Sequence, residues 1–396
     1  MDWISTYMEY TEGSPTPDCF RLWSAIGALS AAMERRVWVV TNRGPQFANL
    51  YILLVSPPGV GKTVAISPAQ RLLQRAGKFV AAPDNVTGAS LVDALNAAKK
   101  IITRPDGKGV IEYSCFYIFA DELGVFMSSH DLSFLSLLTK FYDNPDSYRE
   151  TRRHSLKEPI DIINPTVTFL AGTQPGFLSA VLPEVAWTQG LTGRLIMIYA
   201  NKCPNLSIFE KYDPREALEK RLVAGLAKIA NLYGQCSWAN DAVEEFVNWE
   251  AAGFTPVPDH PKLEYYCNRR GRLFAVRLAM ISAISRGSDF VIGKEDVIRA
   301  KSWLLEAEAS MPFIFRDMVY RSDVDVINEV LSYVLREYAT SRKPVHESVI
   351  LSFLQKKTLA DKADKILSLM ERSGQLVRYA GTETYVPKPK AFDAPV

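Results

Sequence analysis

"NLYILLVSPPGVGKTVAISPAQ", residues 49–70, decides how this chain is read. "LYILLVS" (50–56) is apolar almost throughout, has the length of a buried strand, and is far too short to cross a membrane. "PPGVG" follows, rich in residues that bend a backbone. Lys62 and Thr63 then open a helix expected to reach about Ala76, with Pro68 disturbing its middle. Glycines at 59 and 61 let backbone N–H groups curl inward with a helix N-terminus behind them, which makes a cradle for phosphate oxygens.

The same residues nearly satisfy the Walker A pattern G-x-x-x-x-G-K-[ST], written here as Ser56, Pro57, Pro58, Gly59, Val60, Gly61, Lys62 and Thr63, with Val64 in the first helical turn behind them. Serine replaces the first glycine; it changes the turn but removes no donor. Lys62 is expected to reach the β and γ phosphates of ATP, and Thr63 to hold Mg²⁺. A chance glycine turn is the competing reading, and the strand before and helix after argue against it.

Further along, "SCFYIFADE" (114–122) is a second buried strand ending in two acids. Asp121 is placed to bind Mg²⁺ through water, and Glu122 to orient or deprotonate the attacking water. "PTVTFLAGTQ" (165–174) is a third strand. Its terminal Thr173 and Gln174 suit a contact to the γ-phosphate or its water, or simply the capping of the next helix. "GRLIMIYAN" (193–201) is a fourth. Strands that are apolar throughout and separated by helices argue for a parallel sheet covered on both faces, an α/β fold of the P-loop NTPase type.

Four segments organise the chain: an N-terminal helical segment over 1–36, the nucleotide core over 37–205, an all-α lid over 206–320 and a last domain over 321–396. The last reads as three helices and a terminal hairpin, the pattern of a winged helix. Its third helix carries Lys362, Lys365 and Arg372 among the acids Asp361, Asp364 and Glu371, and its wing carries Arg378, so contact with DNA and contact with protein both stay open. In the lid, Arg277 lies within the apolar stretch "FAVRLAM" and needs a partner. That partner is the γ-phosphate or a lid acid such as Glu295 or Asp296, with Arg272 the second choice for the phosphate. Arg194 opens the fourth strand; its place resembles that of the arginine finger of AAA+ proteins, which completes a neighbour's site, and the alternative is a surface arginine. Arg149, Arg152, Arg153, His154 and Lys157 form a basic insert suited to DNA phosphates, or a solvated charged loop.

Composition sets the limits. With 396 residues, 47% of them apolar, two or three domains are expected. A net charge of +2 confines any nucleic-acid binding to local patches. Five widely spaced cysteines and four unpaired histidines lack metal-ligand spacing, which argues against a zinc site, and fit reduced thiols. The opening "MDWISTYMEYTEG" has no basic-then-apolar leader pattern, so a cytoplasmic protein with no membrane partner is expected.

"NLYILLVSPPGVGKT", "YIFADELGVFMSSHD", "LLTKFYDNPDSYRETRR", "FLAGTQPGFLSAVLPE" and "GLTGRLIMIY" occur in the order seen in phage and prophage primase–helicase-like P-loop ATPases, which the chain resembles over about residues 1–312. The lid and last domain also resemble AAA+ initiators and minichromosome-maintenance helicases. The resemblance implies an ATP- and Mg²⁺-dependent homo-hexameric DNA helicase or translocase of phage or mobile-element replication, gripping single-stranded DNA in its pore without reading sequence, and acting beside other replication proteins. It also implies sensor roles for Thr173, Gln174 and Arg277. A replication initiator or helicase loader using ATP as a switch, and a signalling or defence ATPase, are the rival readings.

Overall fold

The computed structural model describes residues 1–104, 107, 109–126, 131–151, 159–182, 190–204, 209, 215–355, 360–379 and 381–387. The fold is mixed α/β, in two compact units, Met1–Phe315 and Arg316–Val396.

The first unit is built on a five-stranded sheet. After helices α1 (Trp3–Tyr10) and α2 (Asp18–Met33) come β1 (Val37–Thr41), β2 (Gly44–Phe47), β3 (Tyr51–Val55), α3 (Lys62–Ala76), α4 (Gly88–Ala97), β4 (Lys99–Thr103), β5 (Val110–Ala120), α5 (Leu123–Phe126), α6 (Leu132–Tyr142), β6 (Ser147–Glu150), β7 (Ile160–Ile163), β8 (Pro165–Thr173), α7 (Pro175–Val181) and β9 (Leu195–Tyr199). The order is β4-β5-β8-β3-β9, with β5, β8, β3 and β9 parallel and β4 antiparallel at the edge. Every residue of β3, β8 and β9 is buried. That requires cover on both faces, and the register shows how it is met. Tyr51 pairs with Phe169, and the Tyr51 hydroxyl donates to Leu138 O at 2.8 Å, so α6 covers that face. Ile52 pairs with Leu170 on the other face, where α2 packs so closely that a Cβ added at Gly27 would stand 3.5 Å from Ile52 and 3.4 Å from Leu170.

The expected strands are all present, and α3 runs unbroken through Pro68. Lys99 and Lys100 begin β4, an edge strand stabilised by non-local pairing to β5. The expected segment boundaries change. The segment after 205 is not an all-α lid. Following α8 (Glu216–Ile229), strand β10 (Gly234–Trp238) lies parallel to β1, and after α9 (Asn240–Ala251), α10 (Glu264–Arg269), a π-helical turn (Arg270–Phe274) and α11 (Ala275–Arg286), the short β11 (Val291–Ile292) joins β10. The resulting sheet, β11-β10-β1-β2, draws strands from both sides of the expected boundary at 205, so residues 1–315 are one unit rather than three.

The N-terminal helices are part of that unit. Trp3 Nε1 donates to Leu222 O of α8 at 3.0 Å, and the Tyr7 hydroxyl donates to Ala65 O of α3 at 3.3 Å. Ile4 N donates to Ser285 Oγ of α11 at 2.9 Å.

A single helix, α12 (Lys294–Ser341), runs across the boundary expected between residues 320 and 321. Its C-terminal part enters the second unit, with β12 (Val345–His346), α13 (Glu347–Gln355), α14 (Ala360–Arg372), β13 (Leu376–Arg378) and β14 (Thr384–Pro387). The strands form an antiparallel sheet in the order β12-β14-β13. Val330, Val334, Ile350, Leu354, Met370 and Leu376 make its core. The face of α14 bearing Lys362, Asp364 and Lys365 is exposed.

Candidate functional site

The carboxyl ends of β3, β5 and β8 bring the expected chemistry to one place. Gly59 and Gly61 both adopt left-handed conformations, φ +79° and +90°. Such angles suit glycine and explain why two are needed in so short a loop. Gly61 caps α3, and its carbonyl accepts from Ala65 N at 3.0 Å. Ser56 is tied to the neighbouring strand, its N–H donating to Thr173 O at 3.2 Å. Val60 is buried, whereas Pro58, Thr63 and Val64 are exposed and Pro57 is half-buried.

Lys62 turns back into the loop. Its Nζ donates to Ser56 O and Ser56 Oγ at 3.1 Å each and to Pro57 O at 3.3 Å. The serine that departs from the usual glycine is therefore an acceptor that seats the lysine. The stem of Lys62 lies on β8 at Gly172, where an added Cβ would stand 3.2 Å from the Lys62 Cβ and 2.4 Å from Asp121 O. Gly172 is a residue that the reading of the sequence missed. A glycine inside a strand, here in "LAGTQ", marks a close approach of backbone and was the available signal.

Facing the lysine are the acids. Asp121 and Glu122 follow β5 directly, and Gly124 sits where a Cβ would collide with the ring of Phe177, so "DELG" and "GTQPGF" are packed on each other. Burial raises the pKa of Glu122, while the Lys62 ammonium and a hydrogen bond with Gln174 partly offset it. Burial also raises that of Asp121. Thr173 is buried, and among the described residues its Oγ1 has no hydrogen-bond partner. A buried hydroxyl left so is unfavourable unless something else supplies a partner. Beside the acids lies a cleft of about 240 Å³ lined by Gln70, Asp84, Phe119, Asp121, Glu122 and Val125.

The arrangement has a pH signature. A base must be ionised to act, so any activity that depends on Glu122 should fall on acidification at a higher pH than an unperturbed carboxyl would give. The Gln174 hydrogen bond favours the ionised form. Gln174→Leu removes it and should move the acid limb of the pH–rate profile to higher pH, whereas a purely capping Gln174 leaves the limb in place.

Both expected arginines lie elsewhere. Arg194 precedes β9, whose first residue pairs with Tyr51, so it sits at the end of the sheet opposite the glycine loop. It is nearly buried and engaged: Nε donates to Asp143 Oδ1 at 3.0 Å, NH1 to Gly190 O at 2.7 Å, and NH2 to Asp143 Oδ2. It is thus neither a free surface arginine nor a group aimed at its own loop. Arg277 is buried at that same remote end, with NH1 donating to Asn49 O and the guanidinium 4.5 Å from the Tyr142 ring centre. From Asn49 to Ser56 the chain advances roughly 20 Å. Arg277 therefore lies remote from the glycine loop. Its expected alternative partners are taken by another residue, Arg286, which pairs with Glu295 at 2.9 Å and Asp296 at 2.7 Å. Arg272 is exposed beside Glu250 at 3.5 Å.

Of the basic insert, Arg149 lies on the β6–β7 hairpin and pairs with Asp161 at 2.9 Å. Arg152, Arg153, His154 and Lys157 lie outside the described residues. Among the described residues no three His, Cys, Asp or Glu side chains are grouped as a metal site, and no helix is long and apolar enough to cross a membrane. All five cysteines are free.

No protein-family profile matches this chain, and no curated protein is significantly similar to it.

Proposed function

We propose that this chain is a P-loop ATPase that uses Lys62 to hold the β and γ phosphates and Glu122 to activate the attacking water. The observation that carries the reading is the seat of Lys62. A buried lysine is folded into a loop with two left-handed glycines, on the same strand ends as Glu122, Gln174 and a Thr173 hydroxyl that has no partner among the described residues. A bound triphosphate would take the ammonium from Ser56 and Pro57 and give it stronger, charged acceptors. Thr63 and Asp121 offer a hydroxyl and a carboxylate, the oxygen donors that Mg²⁺ takes together with waters and phosphates. The ion would neutralise phosphate charge there. Thr173 and Gln174 would hold the water or the terminal phosphate.

The wider proposal is an oligomeric, hexameric DNA helicase or translocase resembling those of phage and mobile-element replication, with the second unit as a winged helix. Arg194 fits this only in trans, because it lies remote from its own loop, and it would first have to exchange Asp143 for phosphate. That same engagement of Arg194, with that of Arg277, favours a second reading: a replication initiator or helicase loader in which ATP acts as a switch.

Native mass measurement with and without a non-hydrolysable ATP analogue and single-stranded DNA tests the motor. A nucleotide-dependent hexamer on DNA is expected. A persistent monomer overturns it, and nucleotide-dependent assembly with no unwinding of a forked duplex favours the switch.

A further inference from the structure

At Gly61 the glycine loop lies against a distant part of the chain. A Cβ there would stand 2.3 Å from Pro15 O and 2.9 Å from Thr16 Cβ. The turn joining α1 to α2 therefore lies directly against the loop. Thr16 is only 1% exposed, and among the described residues its Oγ1 has no hydrogen-bond partner. Its backbone is fixed: Thr16 N donates to Ser14 O at 2.7 Å, and prolines stand on both sides. The hydroxyl is thus held, buried and unsatisfied at the bend of the loop, a costly arrangement unless a ligand completes it.

The strand order says which part of a ligand meets it. In the order β5-β8-β3-β9, the acids, Thr173 and Gln174 lie on the β5–β8 side of the loop strand. Pro15 belongs to the other side: Cys203, in the segment that follows β9, donates from Sγ to Pro15 O at 3.1 Å. A nucleoside triphosphate lying along the loop with its terminal phosphate toward Glu122 carries its nucleoside toward Pro15, Thr16 and Cys203.

We propose that Thr16 is a binding residue for the nucleoside end of the nucleotide, its hydroxyl hydrogen-bonding an oxygen or nitrogen of the sugar or base. The proposal rests on the nucleotide-binding reading above. It makes the α1–α2 turn one wall of the site, and Thr16 a residue that distinguishes a nucleotide from a bare polyphosphate.

Calorimetric titration of the full chain with Mg²⁺–ATP and, separately, Mg²⁺–tripolyphosphate tests it. Thr16→Val keeps the shape and removes the hydroxyl. It should weaken ATP about three- to tenfold, the worth of one hydrogen bond, and leave tripolyphosphate unchanged. Thr16→Ser should restore ATP binding. Unchanged ATP affinity in Thr16→Val overturns the proposal alone, as does an equal loss for both probes, which would mean that Thr16 only shapes the loop. Binding of neither probe by the unaltered chain overturns the nucleotide reading and this proposal with it.

Discussion

Glu122→Gln is expected to bind ATP as well as the unaltered chain does and to hydrolyse it roughly 10²–10⁴-fold more slowly. The substitution is nearly isosteric, so the packing of "DELG" against Phe177 and the bond to Gln174 have room to persist. Only the charge goes, and with it the capacity to take a proton from water. Lys62, Thr63 and Ser56, which are proposed to carry binding, are untouched. Binding and turnover are read separately, by titration of a fluorescent nucleotide and by phosphate release. Turnover at the original rate would sink the assignment of Glu122 as base, and loss of binding would make it part of the phosphate cradle instead.

The largest effect on stability should come from far outside the site. Arg270 and Glu308 are 1% and 4% exposed at their side chains and face each other in the first unit. Arg270 Nε donates to Glu308 Oε1 at 2.7 Å, and NH2 donates to Glu308 Oε2 and, at 2.9 Å, to Pro256 O. NH1 donates to Phe254 O, and the Tyr266 hydroxyl donates to Glu308 Oε1 at 2.8 Å. The cluster joins the π-helical turn, α10, the 254–256 segment and α12. Glu308→Ala leaves a guanidinium buried without its counter-charge, which costs about 3–5 kcal/mol. Urea denaturation should show that loss. Arg270→Met combined with Glu308→Leu should lose less than Glu308→Ala, because no ion is then left stranded. A single substitution within about 0.5 kcal/mol of neutral would show the cluster to be dispensable.

The loop and its strand were legible because every signal there is local. A run of apolar residues, two glycines and a lysine at the start of a helix all fall between 50 and 63, and β3 and α3 follow. The same holds for the acids ending β5 and for β8 and β9. What was hidden depends on partners distant in sequence. β10 and β11 are short, and only the pairing of β10 with β1 and of β11 with β10 makes them strands, so residues 206–320 read as helix alone. Arg277 was correctly judged to need a partner within so apolar a stretch. That partner is a backbone carbonyl at Asn49 and a ring at Tyr142, neither of which any spacing announces. Gly172 and Thr16 matter through single close approaches to Lys62, Asp121 and Gly61, which exist only after the chain has folded.

The clasp of the N-terminal helices bears on how a minimal version of this protein can be made. A boundary drawn from the sequence would start the nucleotide core at residue 37. A chain cut there loses the indole bond to Leu222, the phenol bond to Ala65 and the turn that rests on Gly61, and it uncovers apolar faces of α3 and of the central sheet. Expression of residues 37–205 alone should yield aggregate. A piece that keeps every contact of the loop described above runs from Met1 to about Phe315, and an affinity tag belongs before Met1, whose side chain is already exposed.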